Sequence, residues 1–189
     1  MFSGGAMWTF IVAVGWLVFE ESNSSAKVGI ITFSSMVPAL VISPIGGLMG
    51  DAFDRRRLSF ITFIVSASIV VTMVGLSVTA TLVYWHIVVI AFLLGIVRHI
   101  REPAMQALIP NQVPKEDLLN ALVLSGATRH GARFLGLLLA SPLLLVDYIG
   151  INGVLMLSAV FHVLGAVQMH RTHTVSSGEM RSDKGLLRN

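Results

Sequence analysis

The sequence predicts an all-helical integral membrane protein of six spans, and three observations carry that reading. Of the 189 residues 54% are hydrophobic and only 12% charged, with a mean hydropathy of +0.81, whereas a soluble domain carries roughly 25% charge. The apolar residues fall in long runs, not in the alternating or one-faced patterns of soluble strands and helices. The 13 Lys and Arg residues punctuate those runs and seldom enter them. The same composition excludes disorder, a collagen-like repeat and, with no cysteine present, a disulfide scaffold. A net charge of +3 and a pI near 9.8 would suit nucleic acid on arithmetic alone. The basic residues form no continuous face, however, so no nucleic-acid partner is expected. The expected surroundings are a lipid bilayer.

A helix needs about 20 mostly apolar residues to cross the roughly 30 Å hydrocarbon core. The first qualifying stretch, 2–19, holds no ionisable group. It lacks the basic lead and small-residue cleavage site of a signal peptide, and similar stretches follow it, so it reads as a true span. The second, 28–50, contains Pro38 and Pro44, which a bundled membrane helix tolerates because neighbours satisfy the freed backbone groups. The third, 58–78, is rich in Ile, Val and Ser, and the fourth, 82–97, leads into Arg98. The fifth is expected at 131–146 and the sixth at 149–169, leaving 98–130 and the segment after His170 outside the membrane. The expected organisation is a six-helix transmembrane domain over 1–169 and a polar tail over 170–189.

Six spans put both termini on one side. If that side is the cytoplasm, every Lys and Arg except Lys27 falls inside, as the positive-inside rule requires. Tyr84, Trp85 and Tyr148 then fall at the outer interface, where an aromatic belt belongs. The expectation is a multi-pass protein of the cell (inner) membrane with both termini cytoplasmic.

The connection between spans two and three is short: Asp51, Ala52, Phe53, Asp54 and three arginines, after Gly46-Gly47-Leu48-Met49-Gly50. Glycines permit close helix approach and a tight turn, and Asp51 can cap a helix or pair with neighbouring charge. The plainer reading is topological: Arg55, Arg56 and Arg57 hold a short loop inside. The run from Gly47 to Arg56 also resembles the loop 2–3 signature of the major facilitator superfamily, and the Asp54 variant is similar to the enterobactin-exporter-like branch. A second block is similar to that branch's loop after span four: Glu102-Pro103-Ala104-Met105-Gln106-Ala107-Leu108-Ile109-Pro110, followed by Val113-Pro114-Lys115-Glu116-Asp117-Leu118. Trp16-Leu17-Val18-Phe19-Glu20, with Ser24-Ser25 after it, fits the end of the branch's first span. Departures are Ala52 for a basic residue, Met105 for arginine, Gln112 before Val113-Pro114, and Arg133-Phe134-Leu135-Gly136-Leu137 without a proline after the glycine.

The resemblance implies a fold of six transmembrane helices as one half of a major-facilitator-type bundle, built as a 3+3 inverted repeat. It implies a secondary active transporter exporting a small hydrophobic or siderophore-like molecule by proton-coupled alternating access, with no cofactor. The partners it implies are the substrate and a second six-helix half, either a missing carboxyl half or another copy. Gly47, Asp51, Asp54, Arg55 and Arg56 would form the cytoplasmic gate. The alternative is a non-transporting membrane subunit or truncated fragment on the same scaffold.

Other charges are weighed by depth. Arg101 and Glu102, at the end of span four, and Arg133, at the start of span five, are candidate gating charges, or else interfacial anchors. Glu20 is a candidate proton-coupling carboxylate, against a solvated helix end; His162, inside span six, is a second candidate, against a hydrogen-bonded packing residue. His170 and His173 lack a cysteine or carboxylate nearby, so no metal site is expected. No H-E-x-x-H, G-x-S-x-G or P-loop run occurs, and no enzyme activity is expected. No substrate-binding residues are assigned.

Overall fold

The structure, a computed structural model, describes residues 2–42, 45, 53–146 and 150–172. Among them the chain forms six long helices and two 3₁₀ turns, with no strand. The helices are α1 (Phe2–Ser22), α2 (Ser25–Met36), α3 (Arg55–Val78), α4 (Tyr84–Leu108), α5 (Leu118–Leu144) and α6 (Gly150–Arg171). The 3₁₀ turns Ile109–Asn111 and Lys115–Asp117 link α4 to α5. Four segments, Ser3–Ser22, Ser25–Ile42, Arg55–Val78 and Gly150–Arg171, are long and apolar enough to cross a membrane.

Each boundary has a local cause. Asn23 turns the chain between α1 and α2 at φ 46, a left-handed conformation that asparagine tolerates better than most residues. Ser24 then caps α2. Pro38 has no N–H to donate, so the ladder of α2 breaks at Val37 before the chain is helical again from 38 to 42. The side chain of Asp54 caps α3 by accepting from the Arg57 N–H at 3.0 Å.

The segment 98–130, expected outside the membrane, is largely helical: α4 continues through Pro103 to Leu108 and α5 begins at Leu118, so the connection between these helices is only 109–117. The charges Arg98, Arg101, Glu102, Arg129 and Arg133 mimic a loop in hydropathy, yet they lie on helices of 25 and 27 residues. Leu118, Leu119, Leu122 and Val123 extend the apolar run of α5 on the far side of Arg129.

Helix α3 packs most extensively on α6, α1 lies between α5 and α6, and α4 lies between α3 and α2. Phe10, Val14, Met73, Ile87, Val154 and Leu155 lie at the centre of the main core, and Phe63, Leu108, Ala166 and Met169 form a smaller one near the basic end. Small residues set the crossings. A Cβ on Gly136 would stand 2.8 Å from the Gly5 carbonyl oxygen, so α1 and α5 meet backbone to backbone. Hydroxyls bridge helices: Ser158 Oγ donates to the Ala6 carbonyl at 2.8 Å and Ser34 Oγ to the Val88 carbonyl at 3.2 Å. Large apolar side chains such as Phe33, Leu40, Leu119, Phe134 and Leu138 stay exposed, as lipid-facing or partner-facing helices require.

Candidate functional site

The arginines of the loop 2–3 signature open α3 and reach sideways from it. Arg55 is buried, and its Nη1 donates to the Ala107 carbonyl at 3.0 Å, in the last turn of α4. Arg56 Nε donates to the Met169 carbonyl at 2.9 Å, and its Nη2 to the His170 carbonyl, in the last turn of α6. The last carbonyls of a helix have no intrahelical donor and carry its negative dipole end. Two guanidinium groups therefore cap the two helices that pack on α3 and tie both to its start. Asp54, Arg56, Arg57, Phe60, Met169 and His170 line a cleft of about 190 Å³ beside this clasp. Gly47 and Asp51, the other members of the predicted gate, lie outside the described residues, as does the tail from 173 onward.

Arg101, Glu102 and Arg133 do not meet. Consecutive residues on a helix point about 100° apart, and Arg101 turns inward while Glu102 turns out. Arg101 is only 2% exposed and is among the largest fully buried side chains. Its Nη1 donates to Ser66 Oγ at 3.1 Å and its Nη2 to Ser3 Oγ at 3.0 Å, and its guanidinium lies 4.3 Å from the centre of the Phe63 ring. Its Nε has no partner among the described residues. Glu102 instead pairs with Arg98 one turn earlier, at 2.9 Å. Arg133 lies 3.6 Å over the ring of Trp8 on α1.

His162 is also buried against Phe63, its ring 6.4 Å away and edge-on, and its Nδ1 donates to the Ser158 carbonyl at 2.9 Å. Gly165 leaves the space that the Phe63 ring fills. The result is a buried layer, Arg101–Phe63–His162, that joins α4, α3 and α6, with Ser3 bringing in α1. Glu20 sits exposed near the end of α1. Ser3, Ser66 and Phe63 were not singled out from the sequence as Arg101's surroundings. Their one readable trace is the spacing of Ser59, Thr62 and Ser66 along α3, a polar stripe at helical period that a neighbouring charge can use. Among the described residues no three His, Asp or Glu side chains gather as a metal would need.

A six-helix bundle with apolar outer faces, buried polar ties between helices and arginine clasps at one end has the build of a multi-pass membrane protein. The chain belongs to the major-facilitator family described as transmembrane secretion effector, whose family model matches residues 1–183. It is similar to the staphyloferrin A transporter of Staphylococcus aureus (strain NCTC 8325 / PS 47), 28% identical over 142 residues, covering 74% of this chain and 35% of that protein. It is also similar to the uncharacterized MFS-type transporter YfiS of Bacillus subtilis (strain 168), 24% identical over 161 residues, 85% of this chain and 37% of that protein. The chain thus spans about a third of the length of the curated relatives it matches. No solved structure matches it significantly.

Proposed function

We propose that this chain forms the amino-terminal half of a secondary active transporter that exports a small siderophore-like or hydrophobic molecule by proton-coupled alternating access. The observation that carries the reading is the pair of clasps from Arg55 to α4 and from Arg56 to α6. They make the half a single body at its basic end, which is what rocking of one half against another demands. The name of the Staphylococcus relative supports a siderophore as cargo. The basic end faces the cytoplasm on this reading, because Arg55, Arg56, Arg57 and Lys115 then lie inside. Asp51 and Asp54 complete the gate with the two arginines, and residues 170–189 lead toward a second six-helix half.

The test is flux in everted membrane vesicles holding the chain together with a second six-helix half. Substrate accumulation that needs a proton gradient and collapses with a protonophore is the expected result. An intact two-half complex with no gradient-driven flux of any siderophore or hydrophobic dye offered would leave the non-transporting subunit as the better reading.

A further inference from the structure

Arg133 is a cation far from either end of its helix. At 1.5 Å per residue it lies about 22 Å from the start of α5 at Leu118 and about 16 Å from the end at Leu144. On the transporter reading α5 spans the membrane, and a charge so far along it is not left facing lipid; it faces a cavity or another part of the protein. Arg133 is nevertheless exposed in this half, and among the described residues it has neither an ion pair nor a hydrogen bond. What it has is a platform. The backbone contact between Gly136 and Gly5, with Thr9 Oγ1 donating to the Gly136 carbonyl at 3.4 Å, brings α1 against α5 and sets the indole of Trp8 3.6 Å from the guanidinium carbon.

A guanidinium stacked on an indole keeps its N–H edge free and its plane fixed. That is the geometry of a two-pronged carboxylate receptor, with much of the side-chain entropy already spent. Among the described residues nothing fills the role of anion: Glu20 and Glu21 end α1, Asp54 caps α3, Glu116 and Asp117 lie in the connection before α5, and Arg98 holds Glu102.

We infer that Arg133 on its Trp8 platform is the binding point for the carboxylate of a small anionic solute. The inference rests on the transporter reading and specifies the substrate class: a carboxylate-bearing molecule held near mid-membrane.

The test titrates the detergent-solubilised full chain with benzoate, and with benzamide as the neutral control. Trp16→Phe and Trp85→Phe leave Trp8 as the sole tryptophan of the 3, so its fluorescence reports the site. A saturable response to benzoate and none to benzamide is expected. Arg133→Gln weakens binding at least about tenfold. Arg133→Lys keeps the charge but not the fork, and falls between. Circular dichroism and elution volume establish that each variant is folded; should Arg133→Gln fail that check, Arg133→Lys decides, and wild-type affinity in it overturns the inference. It is equally overturned by an absent benzoate response, by full binding in folded Arg133→Gln, or by a variant that binds normally but changes particle mass. That last outcome would make Arg133 the partner of a second copy's carboxylate. None of these outcomes touches the transporter reading, which stands on gradient-driven flux.

Discussion

Arg101 carries a full positive charge into the interior of the bundle and meets it there with two hydroxyls and an aromatic face. Such a charge is stable only while its donors are satisfied, and losing one partner costs more than losing the charge. Ser66→Ala should therefore lower stability by about 1–3 kcal/mol. Arg101→Met, which removes the charge and leaves Ser66 Oγ donating to the Thr62 carbonyl, should cost less than Ser66→Ala. Thermal unfolding of the two variants in detergent ranks them; the reverse order would mean the guanidinium contributes more than it demands. This residue was visible in the sequence only as a charge near a helix end. Hydropathy reports that a charge is present but not the face it takes, and one step of about 100° separates the buried Arg101 from the outward Glu102. His162 was easier to read, because a histidine deep in an apolar run has few surroundings but a bundle interior, and its bond to Ser158 supplies one.

At the scale of elements, the short basic connection works as a clasp. Arg55 and Arg56 stand at the start of α3 and hold the last carbonyls of α4 and α6, so one turn of sequence ties three helices. Arg55→Ala should speed amide hydrogen exchange in the last turn of α4, and Arg56→Ala in the last turn of α6, with the middles of both helices unchanged. Uniform acceleration along a helix would show instead that the arginines act on folding at large. The resemblance to the loop 2–3 signature implies a cytoplasmic gate, and the bonds described here run within the half, to its own helices. Element number and order were legible because the apolar runs are bounded by turns, prolines or charge. The ends of α4 and α5 were not. Glu102-Pro103 and Arg129-His130 look like loop, yet Pro103 lies inside a continuing helix, and Leu118–Val123 restores the apolar run beyond Arg129.

At the scale of the whole molecule, most of the positive charge gathers toward one end and large apolar side chains remain on the outer faces. With family membership across 1–183 and about a third of each relative's length, the central claim is a six-span half-transporter whose clasped, basic end lies in the cytoplasm. The absence of cysteine from the sequence makes that claim directly measurable. Single cysteines at Phe53 and Gln112 report the basic end, and at Asn23 and Thr81 the opposite end. In intact cells a membrane-impermeant maleimide should label Asn23→Cys and Thr81→Cys, and should label Phe53→Cys and Gln112→Cys only after permeabilisation. Labelling of Phe53→Cys or Gln112→Cys from outside, with Asn23→Cys and Thr81→Cys protected, would contradict the account.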